Sequence, residues 1–225
     1  MTPEQRMHQK ILRAPNLKDF TELLTQFQCK RCTLSKRQNR GIVVYKGSLD
    51  AKIMLIGEAP GKEEDLQGIA FCGPAGILQD EIFAAANIST TQDMYLGNIC
   101  KCRPTAPKGS GKQNTTPKTK QTALCKPYIL KEIELLAPQI IVAVGKTAAI
   151  SLFGFEEKTL MKHIVGRFFQ KPTIFGQTEL FTIYHPAAIL HASGDRETEL
   201  KRELWEQVKK IKTRVDELGI TLTGV

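Results

Sequence analysis

The 225-residue chain has no apolar run long enough to cross a bilayer. Its most apolar stretches, residues 52–57 and 140–145, fall far short of the ~20 residues a membrane helix needs. Residues 1–10 lack the apolar core of a secretion signal, so a cytoplasmic and reducing location is expected, with no membrane partner. Internal repeats and low-complexity tracts are also missing, which excludes solenoid and fibrous classes. Acidic residues are absent from two stretches, 30–46 and 101–126, which hold six and seven Lys or Arg. Those charges exceed the formal net charge of +9, so the rest of the chain sums to −4. Cys29, Cys32, Cys102 and Cys125 lie in or next to the two basic stretches. Concentrated positive charge points to an anionic partner, and thiols clustered in a reducing compartment are metal ligands or redox groups more often than disulfides.

A chain of this size buries roughly 70–75% of its unfolded surface. One domain over residues 1–225 is expected, with 1–28 as an N-terminal helical extension interrupted at Pro15. Short apolar runs at 52–57, 94–98, 140–145 and 180–184 predict buried strands. Helical spacing runs through 76–86, 118–136, 146–153 and 198–218. This alternation predicts an α/β fold with a mostly parallel central sheet. Functional groups in such sheets collect beyond the carboxyl ends of the strands. The residues leaving those ends are Gly57-Glu58-Ala59, Gly97-Asn98 and Tyr184-His185, so a carboxylate, an amide and an imidazole are expected to converge. Taken singly, each has a plainer role: Glu58 as a charge in a first helical turn, Asn98 as a strand cap, His185 as a buried hydrogen-bonded ring.

Longer motifs carry more information. Residues 57–76, GEAPGKEEDLQGIAFCGPAG, contain a Glu-Asp pair and the pattern Phe71-x-Gly73-x-Ala75-Gly76. Further on come Asn98-Ile-Cys-Lys-Cys-Arg-Pro104 and His185-Pro-Ala187. In this order they resemble the three signatures of the family 4, iron–sulfur uracil-DNA glycosylases, over roughly residues 27–210. The resemblance implies a three-layer α/β/α sandwich and a DNA-repair hydrolase that flips uracil out of DNA, cleaves its N-glycosidic bond with water and leaves an abasic site. Glu58, Asn98 and His185 would be catalytic. Gly57, Ala59, Phe71, Asn98 and His185 would form the uracil site, with the base stacked on Phe71. Lys101, Arg103, Ile189 and Leu190 would meet DNA, the apolar pair as a wedge where the base leaves; packing of that pair against the core is the alternative. Lys62 and Lys101 are read as phosphate contacts. His191 stands where many relatives carry Arg. The expected partner is uracil-containing DNA, single- or double-stranded, with a monomeric protein and a sliding clamp as a further partner to consider. The rival readings are a superfamily glycosylase for another deaminated base and an iron–sulfur DNA-binding module without turnover.

Cys29-x-x-Cys32 presents two thiolates to one metal and fits zinc, iron–sulfur or redox chemistry. Spacing alone leaves Cys100, Cys102 and Cys125 open as the remaining ligands. The resemblance selects Cys102 and Cys125 and implies a [4Fe–4S] cluster of structural role. Cys72 and Cys100 are then packing residues. Between Cys102 and Cys125 lie 22 residues, more than the family spacing, and the excess at 106–117 predicts a basic finger near DNA. No histidine lies between Asn98 and Cys125, so covalent capture of the sugar from that loop is not expected. Gly145-Lys146-Thr147 lacks the earlier glycine of a phosphate loop and reads as a strand-to-helix turn. Trp205, His8 and His163 belong to no constellation.

Overall fold

The computed structural model describes residues 1–34, 41–105, 114–170 and 178–224. Two helices come first, α1 (Pro3–Leu12) and α2 (Leu17–Thr25). Each begins on a side-chain cap: Thr2 accepts a hydrogen bond from the Gln5 amide, and Asn16 from the Asp19 amide. Then follow β1 (Tyr45–Gly47), β2 (Ile53–Gly57), α3 (Lys62–Gln67), α4 (Pro74–Ala85) and β3 (Met94–Asn98). The second half contains α5 (Thr119–Leu136), β4 (Ile140–Val144), α6 (Lys146–Phe153), β5 (Phe168–Phe169), β6 (Glu179–Ile183), α7 (Ala187–Leu190) and α8 (Asp195–Glu217). Among the described residues no helix is long and apolar enough to cross a membrane.

The six strands form one sheet in the order β1-β3-β2-β4-β6-β5. The four central strands run parallel, and all their residues are buried because both faces are covered. The two edge strands are antiparallel to their neighbours. Alternate residues of the central strands feed two separate cores. On one face Met54, Ile56, Tyr95, Ile141 and Ala143 pack with α1, α2, α5 and α6. On the other, Ile53, Leu55, Leu96, Val142 and Ile183 pack with α4, α7 and α8. The result is the expected α/β/α sandwich.

All four expected strands and four expected helices are present, displaced by three residues at most. Sequence reading missed β1, β5, α3 and α7. Each is between two and six residues long, too short to display a period, and the edge strands exist only by pairing with β3 and β6. The expected finger lies mostly outside the described residues. Its base is closed by an isolated bridge between Thr105 and Asn114 and by the Thr115 amide donating to the Pro104 carbonyl at 2.9 Å.

Candidate active site

Parallel pairing sets Gly57 of β2 directly beside Asn98 of β3, so both chains leave the sheet at the same level. The connection stays paired for two more residues: the Ile99 amide donates to Gly57 O at 2.9 Å and the Cys100 amide to Glu58 O at 3.0 Å. A Cβ built on Gly57 would stand 2.6 Å from the Asn98 Oδ1 and 2.7 Å from Cζ of Phe71. Only a residue without a side chain lets the amide oxygen and the aromatic ring close over the strand end together.

Phe71 reaches this point through a left-handed backbone, φ 53°, which a bulky residue adopts only when its surroundings impose it. Two features impose it. A Cβ on Gly76, in the first turn of α4, would collide with the Phe71 carbonyl. The Glu64 carboxylate accepts from the Gly61 amide at 2.9 Å and from the Gly73 amide at 2.7 Å, clasping the loops on either side of α3. Glu64 was legible in the sequence only as half of the Glu-Asp pair, without this role.

His185 lies two residues beyond the end of β6. Its Nδ1 accepts a hydrogen bond from the Ala187 amide at 3.1 Å, so in the neutral ring the proton is on Nε2. Burial lowers the His185 pKa below the ordinary value, and the Glu64 charge opposes this only in part. A neutral imidazole with its proton on Nε2 is the outcome, and among the described residues no hydrogen bond engages that proton. Beneath it Gly145 turns with φ 82°, and a Cβ there would touch the His185 Cβ at 3.5 Å. Gly145 opens α6, and Thr147 in the first turn of that helix hydrogen-bonds the Glu58 side chain. Burial pushes the Glu58 carboxyl above the ordinary glutamate value, and the Thr147 hydrogen bond pulls in the opposite direction. The turn at 145–147 therefore supports two of the three expected catalytic groups, a role its sequence did not signal.

Gly57, Asn98 and Phe71 are thus one cluster, while Glu58, Thr147, Gly145 and His185 continue the same rim across β4 and β6. Ala59 follows Glu58 on that rim, half-buried. An open cleft of about 690 Å³ elsewhere is lined wholly by α1, α2 and their flanks and shares no residue with the rim.

Two expected DNA contacts need correction. Lys101 is 1% exposed, and its ammonium donates to both oxygens of Glu132, itself 0% exposed, at 2.7 and 2.6 Å. A buried, doubly bonded ammonium does not meet phosphate. Ile189 is 2% exposed and belongs to the core, whereas Leu190 is 47% exposed, so of the apolar pair only Leu190 faces outward. Lys62 is exposed at the start of α3. Arg103 is half-buried, and its Nε donates to Asn114 Oδ1 at 2.7 Å across the base of the 106–117 insertion.

The thiols gather on the opposite side of β3. Cys29 lies within electrostatic reach of Cys125 and Cys32, and burial raises its pKa to about 11. The neighbouring Cys125 thiol, burial and the charges of Cys102 and Cys32 raise the Cys100 pKa. The adjacent Cys100 thiol, then the Lys101 amide and charge, lower the Cys125 pKa against the effect of burial. The Cys29–Cys32 turn is fixed from outside by Glu4, which accepts from the Lys30 amide at 2.7 Å, and by Arg31, which donates to the Leu124 carbonyl at 3.0 Å. Among the described residues no three His, Cys, Asp or Glu are already closed around a single point. The donor chemistry, several thiols near one another, nonetheless suits a soft-metal or iron–sulfur site.

The family model described as the Uracil DNA glycosylase superfamily matches residues 44–209. A type-4 uracil-DNA glycosylase of Thermotoga maritima is 32% identical over 192 residues, covering 85% of this chain and 92% of its own. Proteins of the same description from Archaeoglobus fulgidus and Saccharolobus solfataricus are each 32% identical, covering 81% and 87% of this chain and 86% and 85% of their own. The matched region begins just before β1 and ends within α8, taking in every strand and the whole rim from Gly57 to His185. By sequence and by the sheet that carries that rim, the chain belongs to the uracil DNA glycosylase superfamily.

Proposed function

We propose that the protein is a uracil-DNA glycosylase that hydrolyses the N-glycosidic bond of uracil extruded from DNA, leaving an abasic site. The observation that carries this reading is the closure of Asn98 Oδ1 and the Phe71 ring over the bare Cα of Gly57. A flat base lying on the ring presents its polar edge to the amide. Stacking on an aromatic residue contributes about 1–3 kcal/mol and does not choose between bases. Choice falls to Asn98, because uracil offers a carbonyl acceptor where cytosine offers an amino donor, and an amide held in one orientation matches only one of them.

Bond cleavage leaves negative charge on the departing uracil and positive character on the sugar. A neutral His185 with its proton on Nε2 is suited to donate to the carbonyl that gains charge, and no proton need be lost first. Glu58 supplies the opposite charge and a site for water, in its ionised form. Leu190 is the candidate wedge, with Lys62 and Arg103 as phosphate contacts. Exposed Leu66, Ile69 and Ile77, on the segment that carries Phe71, add an apolar lip beside the flanking nucleotides.

A [4Fe–4S] cluster on Cys29, Cys32, Cys102 and Cys125 would be a structural tie between the amino-terminal helices, the exit of β3 and α5. Bound there, it supplies cross-linking rather than a step in hydrolysis. The thiol grouping and the relatives' type-4 description support this assignment.

Purified protein should create alkali-labile sites in uracil-containing oligonucleotides, single-stranded and duplex, with time. Asn98→Ala should abolish most of that release while keeping its visible absorption. Binding without release under excess enzyme would overturn the reading in favour of a DNA-binding module. Release of hypoxanthine in preference to uracil would replace the substrate.

A further inference from the structure

Side chains alternate along β3, so Gly97 faces the layer of α5 while its neighbour Asn98 faces the proposed base pocket. The buried Lys101–Glu132 pair lies directly against Gly97. A Cβ built there would stand 3.6 Å from the Lys101 Nζ, 3.6 Å from the Glu132 Oε2 and 3.5 Å from Cε1 of Tyr95. The Lys101 side chain therefore runs back along the underside of its own chain, from position 101 to position 97, and ends on a carboxylate carried by α5. Main-chain bonds hold the edges of the same span: the Ile99 and Cys100 amides donate to Gly57 O and Glu58 O, and the Lys101 carbonyl accepts from the Val43 amide at 2.9 Å. Asn98 sits inside that closed span. A fully buried ion pair is often no more stabilising than an apolar pair of the same volume, so stability alone does not account for it. What the pair adds is direction, two hydrogen bonds from one ammonium to one carboxylate.

We propose that Lys101 and Glu132 are positioning residues for uracil recognition, a strap beneath Gly97 that fixes the orientation of the Asn98 amide. The inference rests on the reading of Asn98 as the group that selects the base. Neither side chain of the pair meets the base, because Phe71 belongs to the core on the other face of the sheet. Their action passes through the main chain at 97–101. An apolar pair fills the same space without fixing an angle, and a displacement of about 1 Å at a recognition group can cost on the order of 100-fold.

The test is a mutant cycle on binding. Affinity is measured for duplexes carrying 2′-fluoro-2′-deoxyuridine, whose fluorine resists glycosidic cleavage, and for the same duplexes with 2′-fluoro-2′-deoxycytidine; their ratio is the uracil preference. The proteins are wild type, Asn98→Ala, the neutral pair Lys101→Met/Glu132→Leu, and that pair combined with Asn98→Ala. The neutral pair, folded and with full iron, should show a preference lower than wild type by about tenfold or more. In the Asn98→Ala background the same pair should change the preference by less than about twofold, since no amide remains to be oriented. A wild-type preference in the folded neutral pair overturns the proposal, and so does an equal loss in both backgrounds. Iron lost from the neutral pair also overturns it, by assigning the strap to the thiols. Should the neutral pair fail to fold, Lys101→Met/Glu132→Gln carries the same expectations. A wild type without uracil preference would refute the reading of Asn98 itself, a result distinct from these.

Discussion

Replacing Lys101 by Met removes the only charge facing a fully buried carboxylate among the described contacts of Glu132. The pair is 1% and 0% exposed and is joined by two short charge-assisted hydrogen bonds of 2.7 and 2.6 Å. Breaking a buried pair from one side typically costs about 3–5 kcal/mol, because the remaining ion stays out of water. For a domain of this size each kcal/mol lowers the melting temperature by roughly 2–4 °C, so a fall of about 6–20 °C is expected. Removing both charges, as Lys101→Met with Glu132→Leu, should restore most of the loss, since an apolar pair of similar volume carries no stranded charge. The pH dependence has a definite sign. Burial already raises the Glu132 pKa with Lys101 opposing it, and without Lys101 it rises further. The folded variant then holds a proton that the unfolded chain releases, so its deficit grows as pH rises above the ordinary carboxylate range and shrinks below it. Thermal and urea unfolding across pH, with iron content followed in parallel, measure each part. DNA binding supplies the contrast: a phosphate contact contributes roughly 0.7–0.9 to the slope of log affinity against log salt, and this variant should leave the slope unchanged. A small loss of stability combined with a flattened salt slope would refute the burial argument.

Gly57→Ala drives a methyl group into Asn98 Oδ1 and Phe71 Cζ, both under 3 Å away; overpacking of about 1–3 kcal/mol predicts uracil release roughly 5- to 150-fold slower, and a normal rate would show that the base lies elsewhere. If ionised Glu58 is required, the acid limb of kcat/KM should lie above the ordinary glutamate range, and Thr147→Val, which removes the opposing hydrogen bond, should move it higher still; an unmoved limb in a pH–rate profile would exclude Glu58 as its source. Leu190→Ala should weaken release from duplex more than from single strands and leave melting unchanged, whereas Ile189→Ala should cost about 2–5 kcal/mol of stability; the reverse pattern would exchange their roles.

The strands were legible because a parallel sheet buried on both faces writes itself as short continuous apolar runs. The ends of those strands then mark residues 57–59, 98 and 185. Burial within the basic stretches was not legible. Lys101 stands among Lys and Arg like any surface residue, and its partner Glu132 lies in the last third of another helix. Rotation along α7, which buries Ile189 and exposes Leu190, needs the packing of α4 and α8 against it. Glu64 and Thr147 carry no local signal, since each acts across a turn on backbone or side chains that only the tertiary structure brings near.

The register between β2 and β3 sets Gly57 opposite Asn98. Side chains alternate across a sheet, so sliding one strand by a single residue would turn the amide to the far layer and present Gly97 or Ile99 in its place. Recognition of the base is therefore written in the hydrogen-bond ladder as firmly as in the amide itself. Altered selectivity would have to come by changing what stands at position 98, never by shifting the strand beneath it.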